Sequence, residues 1–448
     1  MMSAQENELI TRIGPGTPCG ALMRRYWQPA ALTEELAGPR PVKAVRLLGE
    51  DLVLFRDEAG RHGLLRRDCP HRGADLAYGR LEDGGLRCSF HGWLFDVTGQ
   101  CRDTPAEPDG ANSPLCRNVR QTAYPVVEKA GVLWAYMGAN GGPGGLAAAP
   151  AFPAFDCFVA PETHVFAFKG LWECNWLQAL EVGIDPAHAS YLHRFFEDED
   201  RSKVYGKQFR DASADSDIPM TQVLREFARP AIAVEETGYG LKILTTRDLG
   251  NGKTHVRVTN QIFPHAISIP LSQEMMLTQW HVPVDDVNCY WYTVFTSFGT
   301  PIDKAAMRAQ RLEVYELPDY RSKKNRRNDY GFDPREQQTR TYTGMGEDIN
   351  VHDQWAVESL GRIQDRTREH LGYSDRAISA YRRLLKRSID QVRRGEAPVL
   401  AVGAEDAARL TGPLTIDGIA ANDALATYAM DTDRRRRQGA AWAGAAAG

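Results

Sequence analysis

The chain has 448 residues, 43% apolar and 25% charged, with a formal net charge of -4. That length supports two or more domains with a sizeable core, and the near-balanced charge argues against nucleic acid as the main partner. No apolar run approaches the ~18 residues of a membrane helix, the polar N-terminus lacks a signal stretch, and eight scattered cysteines are too few for a disulfide scaffold; no membrane span and a reducing, cytoplasmic setting are expected.

Residues 1–40 read as a leader packed on the core, helical around Leu22–Tyr26 after the turn Gly14-Pro15-Gly16. Gly14, Gly16 and Gly20 lack a preceding strand and a spaced downstream acid, so they are read as turn glycines and not as a phosphate loop. Residues 41–150 predict a small all-β domain, because runs such as Val42–Leu47, Leu52–Phe55 and Gly131–Tyr136 are short and strand-like.

Within that domain stand Cys69-Pro70-His71 and, sixteen residues on, Cys88-Ser89-Phe90-His91. Two thiolates on one iron and two neutral imidazoles on the other make a mixed-ligand [2Fe-2S] cluster of raised potential. Gly73 and Gly92 let backbone approach sulfide, Pro70 stiffens the first loop, and Phe90, Trp93 and Leu94 are expected to shield the cysteine side. A structural zinc site is the competing reading, but it usually pairs thiolates two to four residues apart, whereas here the cysteines belong to different loops. Cys101 has no chelating neighbour and is read as a small apolar filler. The pattern closely resembles a Rieske domain, matched in full by Cys69, His71, Cys88 and His91.

The Gly-, Ala- and Pro-rich residues 137–156 mark the expected boundary. Residues 151–395 form the second domain: a strand over Thr163–Phe168, a helix from Asn175 to about His193, and strands near 255–270, 274–283 and 289–298, rich in aromatics such as Trp280 and Trp291. Pro318–Gln338 reads as a surface excursion. Helices follow over about Asn350–His370, stopped by Gly372, and over Ser374–Arg394, capped by Ser374, with Ile378, Tyr381, Leu385, Ile389 and Val392 as its apolar stripe. Residues 396–448 are expected to be a peripheral tail in which Arg434–Arg437 are solvated. The fold class is α+β: a small all-β domain plus a domain with a large antiparallel sheet and covering helices.

Asp185 and His188, three apart, can share a helical face, whereas His188 and His193, five apart, diverge by about 140° on a regular helix. Both histidines reach one ion only if the chain bends between Ala189 and Leu192. Two histidines and a carboxylate leave open positions on an octahedral iron, as in non-haem oxygenases, and Asp353 is the candidate third ligand, with Asp365 and Glu358 as fallbacks. The competing reading makes Asp185 an N-cap before Pro186, ends a preceding helix near Glu181 with Gly183, and leaves the histidines as core side chains.

The stretch from Asn175 through His193 resembles the mononuclear-iron motif of Rieske non-haem iron aromatic-ring oxygenases, large subunit, nearest the phthalate dioxygenase-like branch; the likeness spans about residues 6–395. It implies Fe(II) on His188 and His193, and catalytic roles for Asn175 and Asp185, with Asp185 linking His188 to cluster ligand His91 of a neighbouring copy. It implies a homotrimer or stacked hexamer, an NADH-dependent flavin and iron–sulfur reductase as partner, and cis-dihydroxylation of an aromatic carboxylate with O2. Arg210 and Arg247 are the candidate carboxylate forks. The alternatives are a monooxygenase or O-demethylase of a methoxy- or phenoxybenzoate, and a non-enzymatic electron-transfer protein.

Overall fold

The computed structural model describes residues 2–138, 149–440 and 442–443. Two compact units divide the chain: Arg12–Ala151 with Val282–Asp286, and Met1–Thr11 with Phe152–His281 and Val287–Gly448. Most of the expected boundary segment, residues 139–148, lies outside the described residues.

The smaller unit holds three antiparallel sheets, of three, four and four strands. The leader is not one piece. Its helix Ala4–Thr11 groups with the larger unit, whereas Trp27–Leu32 is a fully buried strand paired with Val132–Tyr136. Proline and alanine disguise that strand in the sequence, and a register shift between Pro29 and Ala31 accommodates the residue that cannot donate.

The larger unit is built on a ten-stranded sheet, antiparallel but for one pair, running from Ala231–Thr237 through Cys289–Ser297 and Val165–Trp172 to the short strands Arg321–Ser322 and Tyr315–Glu316. Residues 255–270 are two strands, not one: Lys253–Ile262 turns back at Pro264 into Ala266–Pro270. Helices cover the sheet. Arg376–Arg393 buries Ile378, Tyr381, Leu385 and Ile389 as expected, but Ser374 lies in a preceding 3-10 turn and does not cap it. The helix predicted to reach His370 is Ile349–Ser359 and stops near Gly361, whose φ of +92° no β-carbon-bearing residue adopts easily.

The predicted tail 396–448 is, over its described residues, not peripheral. Ile416–Ala421 pairs with Lys253–Ile262 along six residues and completes the sheet, and the helix Leu425–Gly439 packs on it. Arg437 grips buried Asp156 with two hydrogen bonds of 2.6 and 2.8 Å, and Arg436 and Arg437 both pair with Asp433. The alanine- and glycine-rich composition concealed a strand that needs a partner 160 residues away. No helix among the described residues is long and apolar enough to cross a membrane.

Candidate active site: a metal triad beside a small cavity

In the smaller unit the two ligand loops are copies of one turn. Cys69 N–H donates to the Ala74 carbonyl and Gly73 N–H to that of Cys69; Cys88 donates to Trp93 and Gly92 to Cys88, all at 2.8–2.9 Å. Both glycines sit at φ +75°. The loops bring His71 and His91 to 4.5 Å between ring centroids, with His71 stacked on Trp93 at 4.4 Å. Cys69 and Cys88 are buried, and His91 Nδ1 is buried without a hydrogen-bond partner. Buried thiols and an orphaned imidazole nitrogen fit a cluster bound on that side. Trp93 and Leu94 are buried, but Phe90 is 57% exposed and lies against the His91 ring at 3.9 Å, so it covers the histidine side instead. Cys101 is buried, its sulfur 3.6 Å from that of Cys116.

In the larger unit, Trp176–Ile184 is a buried helix capped by Asn175, whose Oδ1 accepts from Leu177 N–H while Nδ2 donates to the Thr11 carbonyl. Asn175 is therefore an anchor of the helix and does not line the metal-side cavity. The helix ends where Pro186 forces Asp185 out of the α region (φ -83°, ψ 113°). Asp185 and His188 thus share no helical face; His188–Ser190 is a separate 3-10 turn. The helix runs through Gly183, yet Asp185 does accept from Ala187 N–H at 2.8 Å, so the capping reading was half right.

The bend aims both histidines at one point. His188 Nε2 and His193 Nε2 are 3.2 Å apart, and Asp353 Oδ1 lies 3.8 and 3.2 Å from them. Gln178 fastens the two supporting helices, donating to the Val357 and Gly361 carbonyls at 2.8 Å, and Glu181 is clamped by Arg366 and Arg382 at 2.8 and 2.6 Å. The fallback carboxylates are engaged elsewhere: Glu358 accepts from Glu173 N–H, Gln354 and Tyr330, and Asp365 caps the turn Arg366–Arg368.

Tautomers are fixed from behind. His188 Nδ1 donates to the Asp185 carbonyl at 2.5 Å, leaving Nε2 a lone pair. His352, which sequence reading did not single out, donates from Nε2 to the Gly346 carbonyl, so its Nδ1 accepts from His193 Nδ1 at 3.5 Å. Burial pushes His352 down to about 4, keeping it neutral and able to accept. Burial also lowers His193 more than Asp353 lifts it. For Asp353, burial acts upward, but the imidazoles of His193, His188 and His352 outweigh it and hold the carboxyl below its ordinary value. The two imidazoles and the Asp353 carboxylate, whose Oδ1 is buried without a donor, form a ligand set for a divalent cation.

A cavity of about 60 Å³ adjoins the triad. Its polar lining includes Gln208, Arg257, Thr259, Gln279 and His281. His281, pushed down to about 3 by burial, is neutral, and its Nδ1 has no partner. Arg210 does not line this cavity: it stacks on Phe195 at 3.7 Å and donates to the Glu347 carbonyl. Arg247 lies behind the wall, donating to the carbonyls of Phe227 and Pro186, with Nη1 buried and unpaired and its pKa lowered to about 10 by burial. The arginine that reaches the cavity is Arg257, opposite Asp417 in the sheet and joined to it at 2.7 Å. Only the strand register could have revealed it.

Residues 26–123 match the Rieske [2Fe-2S] domain family, and residues 135–416 match the family described as LigXa C-terminal domain like. The phthalate 4,5-dioxygenase oxygenase subunit of Pseudomonas putida is 35% identical, covering 89% of both chains. The 5,5'-dehydrodivanillate O-demethylase oxygenase subunit of Sphingobium sp. is 33% identical over 89% of this chain and 83% of its own. Among solved structures, dicamba monooxygenase bound to dicamba shares the fold with a TM-score of 0.54 at 20% identity, covering 83% of this chain and 99% of its own.

Proposed function

This chain belongs to the Rieske non-haem iron oxygenases, in the phthalate dioxygenase-like branch, and from that premise we propose that it is the oxygenase component that cis-dihydroxylates an arene carboxylate. The observation that carries the reading is the triad His188, His193 and Asp353 beside a cavity reached by Arg257, with Arg247 buried behind it. When bound, the cluster on Cys69, His71, Cys88 and His91 relays single electrons and the iron activates dioxygen. The protein's part is to hold the Nε2 lone pairs in place through Asp185 and His352, and to present a guanidinium to the substrate carboxylate. Relatives named for phthalate, 3-chlorobenzoate and phenoxybenzoate support the substrate class.

Electrons reach the chain from an NADH-dependent reductase in the cytosol. Asp185 lines a groove of about 880 Å³ beside the triad, which also contains His188, Tyr191 and Trp355. In this reading a neighbouring copy in a homotrimer, or a stacked hexamer, brings its own cluster end to that groove, and Asp185 bridges to His188. The likeness to an O-demethylase supports a second outcome at the same iron, loss of a methoxy group.

Iron and sulfide analysis of anaerobically purified protein should give about three irons and two sulfides per chain. Oxygen uptake and product analysis with phthalate, isophthalate, benzoate, phenoxybenzoate and methoxybenzoate then separate the outcomes: a dihydrodiol marks dioxygenation, and formaldehyde with a phenol marks demethylation. Two irons per chain and no substrate-dependent uptake would defeat the proposal.

A further inference from the structure

The cavity beside the triad is too small for its proposed substrate: about 60 Å³, against the roughly 150 Å³ of an engineered cavity that holds benzene. Some wall must move to admit an arene. Two larger hollows share wall residues with it. The 880 Å³ groove shares Val182, Asp185 and His188. A second hollow of about 460 Å³ shares Gln208 and Ile349.

Their charges are opposite. The groove is lined by neither lysine nor arginine; of its four carboxylates Glu181 and Glu369 are neutralised from behind by Arg366 and Arg382, which leaves Asp185 and Asp375 to give it a negative charge. The second hollow carries Lys207, Arg210, Arg311, Lys323 and Lys324 against Glu313, Glu347 and Asp348. Lys323 and Lys324 donate to the carbonyls of Leu312 and Met345 at 2.8 and 2.9 Å, and neither has a carboxylate partner among the described residues. Their charge is left uncancelled in a concave wall, which focuses the field felt by an approaching anion.

The partition between this hollow and the cavity has a built-in stress. Phe209, beside Gln208, sits at φ +64°, which bulky residues rarely adopt. Its ring lies 5.8 Å from that of His193 and under the Arg257 guanidinium at 4.9 Å. Arg210 holds the segment shut, donating to the Gln208 and Glu347 carbonyls at 3.1 and 2.8 Å.

We propose that the basic hollow is the vestibule through which the anionic substrate reaches the metal-side cavity, with Gln208-Phe209-Arg210 as the partition that yields, while the acidic groove is left to the electron-delivering surface. This rests on the arene-carboxylate reading above. Lys323 and Lys324 act on approach and do not touch the reacting atoms.

The test is stopped-flow tryptophan fluorescence, which Trp172 in the cavity wall can report, using benzoate and its uncharged isostere benzamide. For benzoate, replacing both lysines (Lys323→Gln with Lys324→Gln) should slow association about three- to tenfold at low salt, leave dissociation unchanged, and flatten the salt dependence. Benzamide rates should not change. The double arginine variant (Lys323→Arg with Lys324→Arg) should restore the benzoate rate, separating lost charge from disturbed folding. Benzoate association that is indifferent to salt and to both lysines overturns the vestibule alone. Failure of benzoate to bind the unaltered protein overturns the arene-carboxylate reading with it.

Discussion

Replacing Asp417 by asparagine should destabilise the larger unit out of proportion to so small a change. Asp417 enters on the C-terminal strand and meets three buried groups: Ser213 Oγ at 2.5 Å, His255 Nε2 at 2.9 Å and Arg257 Nη1 at 2.7 Å. Asparagine keeps the shape and one acceptor but strands the Arg257 guanidinium without its counter-charge. Breaking a buried pair in this way costs about 3–5 kcal/mol, against the ~1 kcal/mol or less of an exposed pair. Burial acts to raise Asp417, but His255, Arg257 and Ser213 overcome it and hold the carboxyl well below its usual range. A carboxyl depressed in the folded state stabilises fully above its unfolded pKa of about 3.9 and loses that contribution as pH falls toward the folded value. The gap between parent and Asp417→Asn should therefore be constant above about pH 5 and narrow below about pH 4. Urea unfolding of the metal-loaded proteins across that range measures it. A second variant, Asp417→Asn with Arg257→Met, should recover part of the loss, because the uncompensated charge is gone. A loss under about 1 kcal/mol at pH 7, or a gap that widens as pH falls, would refute the reasoning.

Asp353→Asn should drop iron content from about three to about two per chain with the cluster spectrum intact, whereas Glu358→Gln should keep all three. His352→Phe removes the acceptor behind His193 and should weaken mononuclear iron binding about 10–100-fold, read by chelator competition. A β-carbon at Gly92 would meet Pro105 Cγ at 2.7 Å whereas one at Gly73 meets nothing within 4 Å, so Gly92→Ala should lose cluster absorbance while Gly73→Ala, paying about 1 kcal/mol for its backbone alone, keeps it. Asp185→Asn should load both metal centres yet slow single-turnover electron transfer; an unchanged rate counts against the bridging role.

Local chemistry made the cluster legible, because Cys69, His71, Cys88 and His91 lie on two short loops, each with a glycine four residues after its cysteine to announce the turn. His188 and His193 were not legible in that way, since five residues apart they would diverge on a regular helix and only the family resemblance paired them; the break before Pro186 is what lets them converge. Asp353 was a candidate from position alone, and only the packing of Ile349–Ser359 against the site helix, fastened by Gln178, separated it from Glu358 and Asp365. Arg210, Arg247 and Arg257 are the same residue type in similar strand and loop sequence, and nothing local ranks them. Sheet register decides, since it turns Arg257 toward the cavity and supplies Asp417 from a segment whose composition reads as tail. The sequence by itself determined which chemistry this protein carries, because metal ligands must be specific atoms at short chain spacings. Tertiary structure alone decided which charges face the cavity and which are neutralised, because burial and counter-charge are properties of contacts between segments far apart in the chain.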